Sequence, residues 1–239
     1  MKSVVISQPM LFPWVGMFEQ ICLANTFVYY DDVQYSKGSF TNRVQLKGGK
    51  GSEWLTIPLN KLTLGQKINE VIVNDKEDWR RKHLDQLRRA LGSAPYYGEM
   101  LSLVESVYST DEVSLCEITK ASINAVCGYY GLLDEKEFIC SSSLNIGGSS
   151  SQRVLDVVLS QGGDQYVTGH GAKKYLDHEL FEKSNVQVRY MDYEMLPYGQ
   201  LNGEFTPYVS ILDLIANMGR DGSAFIVSKT KYWKEFIDE

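Results

Sequence analysis

The chain has 239 residues, 44% of them hydrophobic and 23% charged, an ordinary balance for a soluble globular domain that can bury a core without staples. A net charge of −6 argues against a broad basic face for nucleic acid and leaves room only for a local basic pocket. No run of eighteen apolar residues occurs, so no membrane-spanning helix is expected.

Val4 to Ser7 is a short apolar run that reads as a buried strand, ended by Gln8-Pro9. Met1 to Ile6 is too short for a signal peptide, and a cytoplasmic location is expected. Pro13 is placed for a first helical turn, and the helix runs to about Ala24 with Trp14, Met17, Phe18 and Ile21 on one face. Thr26 to Tyr30 is β-branched and aromatic, a second strand. This compact strand, helix and strand predict a right-handed parallel βαβ unit. Its polar tips, Ser7-Gln8 and Asp31-Asp32-Val33-Gln34, then open at one sheet edge, where ligands bind in open α/β sheets.

Residues 38–75 read as a β extension. Phe40 to Leu46 and Glu53 to Pro58 flank a glycine-rich turn, a hairpin expected to extend the sheet, and Ile68 to Val73 predicts a further strand. Residues 76–133 read as a helical insertion. One helix ends at Gly92, a second spans Tyr97 to Tyr108, and a third spans Ser114 to Tyr130, with Asp111 its candidate cap. Alternation then resumes: strand 138–141, helix 150–161, strand 165–168, a glycine turn, broken helix 173–183, strand 186–190, helix 209–218 and a last helical turn near Trp233. The fold class is therefore mixed α/β with a mostly parallel sheet.

Three clusters can carry chemistry. Gln8 with Asp31, Asp32, Gln34 and Lys37 can hold a metal, accept hydrogen bonds from a sugar, or act as a base; capping and turn formation explain the same aspartates. Asn42-Arg43 near Lys37 can grip a carboxylate or phosphate, or simply face solvent. Thr168-Gly169-His170-Gly171 can offer backbone N–H groups to an anion at a helix start, or form a plain turn. Cys22, Cys116, Cys127 and Cys140 form no CxxC pair, and the first three read as buried, inert thiols. The three histidines are scattered, so no metal site is expected; His83 sits on a basic helix face and His178 reads as solvated. No GxSxG or other hydrolase signature is present.

These motifs resemble one family along nearly the whole chain, in order. Gln8-Pro9-x-x-x-Pro13-Trp14-x-Gly16, Asp31 to Lys37, Asn42-Arg43 and Trp54 to Pro58 resemble the WbqC-like proteins. So do Ile68-Asn69, Trp79-Arg80-x-Lys82-His83, Ala94 to Tyr97, Thr168-Gly169-x-Gly171 with Tyr175-Leu176, Gly203-Glu204-Phe205-x-Pro207 and Leu212 to Leu214. One departure is the turn Gly169-His170-Gly171-Ala172, where the family usually has Gly-Pro-Gly-Gly. The resemblance implies one domain over residues 1–239 and a role in bacterial surface-polysaccharide, including O-antigen, sugar biosynthesis. It is compatible with amide formation on an amino sugar nucleotide, with an activated acyl or aminoacyl donor as the one candidate co-reactant and no cofactor assigned. In that reading Asp31 or Asp32 orients or deprotonates the sugar amine, with His83 an alternative base. Arg43, Lys37 and Lys82 hold phosphate or carboxylate. Gln8 and Asn42 read amide or hydroxyl groups, Gln34 is a further polar member, and Trp14 stacks on a sugar or base. A non-catalytic sugar or nucleotide binder is the alternative. A looser likeness to Rossmann-like nucleotidyltransferases adds an ATP-dependent, adenylate-forming reading, but Pro13-Trp14-Val15-Gly16 stands where those enzymes carry His-x-Gly-His.

Overall fold

A computed structural model describes residues 1–237. The chain opens with β1 (Ser3–Ser7), α1 (Val15–Leu23) and β2 (Thr26–Tyr29), and β1 and β2 pair in parallel with Ser7 opposite Tyr29. Strands β3 (Arg43–Gly48) and β4 (Gly51–Thr56) follow as an antiparallel hairpin. The hairpin is its own two-stranded sheet and does not lengthen the main one, a difference from the expected extension. The run Ile68 to Val73 is not a strand. Ile68–Glu70 is a single 3₁₀ turn, held at its flanks by isolated bridges from Gln34 to Lys67 and from Leu59 to Val73.

Helices α2 (Trp79–Leu91), α3 (Tyr97–Tyr108) and α4 (Leu115–Tyr130) form the helical middle. Asp78 caps α2 by accepting from Arg81 N. Ser114, not Asp111, caps α4, and α4 ends on Gly131 at φ +68°, a left-handed conformation that glycine adopts without a Cβ penalty. The chain then returns through β5 (Glu137–Cys140), α5 (Ser150–Ser160), β6 (Gln165–Thr168), α6 (His178–Lys183), β7 (Gln187–Met191) and α7 (Ile211–Met218). It closes with β8 (Thr230–Tyr232), an edge strand that the sequence pattern does not announce, and α8 (Trp233–Ile237).

The main sheet runs β5-β2-β1-β6-β7-β8, parallel except for β8. Counted along the chain this is the 3-2-1-4-5-6 order of a doubly wound Rossmann-like sheet, with the switch point between β1 and β6. Alternation along each strand serves two cores, as a period of two residues requires. Val5, Phe27, Tyr29 and Val167 point to the face covered by α1, α3, α4 and α7, whereas Val4, Ile6, Val28, Tyr166 and Val188 point to the face covered by α5 and α6. All five strands of the parallel part therefore deliver their C-terminal ends to one edge. Among the described residues no helix is long and apolar enough to cross a membrane.

Candidate functional site

The expected polar edge forms at β2, and its partners come from β5. Tyr29 lies opposite Cys140, so the residues just past each strand, Asp31-Asp32 and Ser141-Ser142, meet side by side. Asp31 is buried and saturated. Its Oδ1 accepts from Ser142 N (3.0 Å), its Oδ2 from Ser142 Oγ (2.7 Å), and Asn69 N donates to its carbonyl (2.9 Å). Ser141 Oγ lies 3.1 Å from Asp31 Oδ1 and 2.5 Å from Asp32 Oδ1, one hydroxyl between two carboxylates.

Asp32 carries the half-buried, cleft-facing end of this network. Arg153, reaching down from α5, donates from Nη2 to Asp32 Oδ2 at 2.5 Å. The same guanidinium donates from Nε to Ile146 O (3.1 Å) and lies 5.0 Å over the Tyr30 ring. Burial pushes the Asp32 carboxyl up, but the Ser141 hydroxyl and the Arg153 guanidinium outweigh it and hold the group below the ordinary carboxylate range. The pair is thus built to remain ionised, as an acceptor for donors in the cleft and not as a strong base.

The cleft beside it has a volume of about 550 Å³ and is lined by Asp32, Lys67, Asn69, Glu70, Ser142 and Asn145. A second cleft, of about 610 Å³, takes in Tyr35, Lys37, Arg43, Thr56 and Asn60. The segment 32–37 runs from the first to the second. Lys37 is exposed on that second cleft. Arg43 donates to Gly38 O and lies 4.2 Å over the Trp54 ring, so its guanidinium is fixed at the cleft wall. Asn42 also borders it but is structurally engaged, accepting from Tyr35 OH (2.8 Å) and donating to Ile57 O (2.9 Å).

None of the other expected site residues is among those lining the two clefts. His83 is 2% exposed; Nε2 donates to Thr56 O (3.0 Å), which fixes Nδ1 as the acceptor from Tyr108 OH (2.9 Å). Burial pulls its pKa down to about 4, against the pull of the Thr56 carbonyl toward the charged form. With both nitrogens committed in the core, its geometry is that of a brace between α2, α3 and β4, in place of the expected alternative base. Lys82 is exposed on α2 and pairs with Glu77 (2.6 Å). Gln34 is exposed and enters only a backbone bridge with Lys67. Gln8 is half-buried past the end of β1. His178, expected to be solvated, is buried against the Tyr190 hydroxyl (2.8 Å) and stacked on Trp233.

At the switch point Tyr193 fills the crevice. Its hydroxyl accepts from Gln20 Nε2 (2.9 Å), and its ring meets Trp14 and His170 at 4.9 and 5.1 Å. A Cβ on Gly169 would stand 3.2 Å from that hydroxyl, a tight contact that Tyr193 would have to relieve by shifting slightly. Thr168 is buried, accepting from Tyr166 OH (3.3 Å), and Gly171 is exposed. The turn leads into a five-residue 3₁₀ segment, His170–Lys174, instead of an α-helix, so the helix terminus that would favour an anion there is missing.

Ser141, Ser142 and Arg153 are the members that the sequence reading passes over. Arg153 had a detectable signal. It shares a helix face with Val157, four residues on and fully buried, and a charge on a buried face requires a partner.

Fold and site together define a doubly wound α/β protein with a polar, charge-balanced cleft beyond its parallel strands. A family model for the WbqC-like protein family matches residues 8–224, and the chain belongs to that family. It is also 30% identical over 229 residues to the uncharacterized protein Rv1507c of Mycobacterium tuberculosis strain H37Rv, covering 95% of this chain and 98% of that one. No solved structure matches the chain significantly.

Proposed function

We propose that this protein is an enzyme of bacterial surface-polysaccharide sugar biosynthesis that forms an amide on an amino sugar carried by a nucleotide. The observation that carries this reading is the ionised Asp32, held by Ser141 and Arg153 at the mouth of a polar cleft. The cleft lies in the usual size range of small-ligand sites. Its mixture of carboxylate, amide, hydroxyl and ammonium groups matches a ligand rich in hydroxyls with one amine. Asp32 accepts a hydrogen bond from the amine and orients its lone pair. Lys37 and Arg43 in the second cleft hold the diphosphate or a carboxylate. In the reaction the amine nitrogen bonds to the carbonyl carbon of an activated acyl donor. The bond from that carbon to the leaving group breaks, and the surplus proton on nitrogen leaves to solvent or to the leaving group.

A second reading, a non-catalytic binder of the same sugar nucleotide, is favoured by one feature: the pair Asp32–Arg153 suits binding better than proton abstraction. Mass spectrometry of incubations with nucleotide-linked amino sugars and a panel of acyl donors separates the two. An acylated sugar nucleotide, formed by the wild type and reduced in Asp32→Asn, supports the enzyme. Binding without any product supports the binder, and neither binding nor product removes both.

A further inference from the structure

A second kind of cavity stands on the loop that leaves β1. It has a volume of about 230 Å³ and is walled by Met10, Leu11, Trp14, Phe40, Val44 and Tyr208. None of these side chains carries a charge or an amide. Three are aromatic, and Phe40 and Tyr208 are more than half exposed at its rim. Apolar side chains gathered contiguously around an open cavity, unlike the singly exposed ones elsewhere on this surface, mark a ligand-binding place.

The walls come from three distant segments that hydrogen bonds lock together. Ser210 N donates to Gln45 O (2.8 Å), Ser210 Oγ to Phe12 O (2.8 Å), and Ile211 N to Pro13 O (3.0 Å). Phe12 is fully buried at φ +36°, a strained conformation for an aromatic residue. It is held there from both sides, since Ser122 Oγ accepts from Phe12 N at 3.0 Å. Trp14 is set by an absence: a Cβ on Gly16 would fall 2.4 Å from its indole. The segment bearing Tyr208 is anchored by the buried amine of Lys47, which donates to Gln200 Oε1 (3.1 Å) and to the carbonyls of Gly203 and Glu204. Strain, a glycine and a buried lysine thus maintain a preformed apolar pocket at the end of the strand next to β2.

We infer that this pocket seats the aliphatic portion of the acyl group that the donor supplies, an inference that rests on the amide-forming reading above. A nucleobase would find the Trp14 indole N–H and the Tyr208 hydroxyl for part of its edge and no amide or charged side chain for the rest, whereas an aliphatic chain needs no polar partner. Met10 to Trp14 follow β1 directly, so the pocket lies at the sheet edge that also carries Asp32, and the carbonyl end of the chain stands at its aromatic rim.

The test is ¹⁹F NMR of the full chain labelled with 5-fluorotryptophan, which gives one signal for each of four tryptophans. The Trp14 signal is assigned by its loss in Trp14→Phe. N-methylhexanamide should shift the Trp14 signal saturably, and N-methylacetamide, which lacks the chain, should not. Val44→Phe, which fills the pocket, should abolish the shift, and Tyr208→Ala, a rim change that leaves the core intact, should weaken binding by about tenfold. An unmoved Trp14 signal in the wild type, or binding in either variant as tight as in the wild type, overturns the inference. Titration with a nucleotide-linked amino sugar separates it from the function it rests on. If that ligand binds without disturbing the amide at Trp14, both stand. If it displaces the amide, the pocket belongs to the nucleotide and this inference falls alone. If it does not bind at all while the amide does, the pocket's selectivity for an aliphatic chain stands, but the sugar-nucleotide reading falls and the assignment of that chain to an acyl donor falls with it.

Discussion

Replacing Arg153 by methionine keeps the side-chain length and removes the guanidinium that neutralises Asp32. The Arg153 side chain is 7% exposed and that of Asp32 14%, so the abandoned carboxylate has little water to turn to. Breaking a buried pair by removing one partner costs about 3–5 kcal/mol, and because Asp32 keeps Ser141 and some cleft solvent the expected loss is about 3 kcal/mol. The pH dependence follows from the lowered pKa of Asp32. In the wild type the pair contributes stability that is full above the ordinary aspartate value of 3.8 and is lost as pH falls through the lowered one. Without Arg153 the desolvated carboxylate gains by protonating, so the deficit of the variant shrinks in acid. Urea unfolding of both proteins at neutral pH and near pH 4 measures this, and a cycle with Asp32→Asn isolates the pair. The double variant should lose less than the sum of the singles by about 2 kcal/mol. A deficit below about 1 kcal/mol, or one that does not change with pH, would refute the assignment of Arg153 as the partner that holds Asp32 ionised.

Further outcomes follow from other buried groups. His83 stays neutral in the fold down to about pH 4, whereas the unfolded chain takes up a proton near 6.5, so wild-type stability should fall across that window by about 3 kcal/mol. His83→Phe should lack this acid limb in pH-resolved denaturation; an unchanged limb would mean that another group causes it. Glu19 is 1% exposed, its Oε2 has no hydrogen-bond partner, and burial pushes its pKa up to about 7 from 4.5. Its cost grows as pH rises through that interval, so Glu19→Gln should stabilise the protein above pH 7 by up to about 3 kcal/mol and have no effect in acid. Lys47→Met removes the anchor of residues 200–204, so proteolysis should cut that segment first and hydrogen exchange there should rise, with the parallel strands unaffected.

The opening strand, helix and strand were legible because the signals are local: a short apolar run in Val4 to Ser7, β-branched and aromatic residues from Thr26, and two polar tips whose shared edge follows from parallel pairing. The meeting of Asp31-Asp32 with Ser141-Ser142 was not legible, since it depends on β5 pairing beside β2 across more than a hundred residues. The same distance misleads about His83. Its basic neighbours Arg80, Arg81 and Lys82 suggest an exposed face, but its acceptor and donor partners, Thr56 and Tyr108, lie 27 and 25 residues away. The glycine turn was read by type, and the type alone does not say whether a helix or a short 3₁₀ segment follows. The apolar pocket could not be foreseen, because its walls join three segments and depend on a strained backbone at Phe12 that no composition announces.

Calorimetric titration of the wild-type chain with a nucleotide-linked amino sugar, and with the same compound bearing a hydrogen in place of the amine, tests the central claim most directly. A charge-assisted hydrogen bond from the amine to Asp32 adds about 1.5–3 kcal/mol, so the amino form should bind roughly tenfold to a hundredfold tighter, and Asp32→Asn should erase most of that difference. Equal affinity for the two compounds, or an undiminished preference in Asp32→Asn, would contradict the placement of the sugar amine at this cleft.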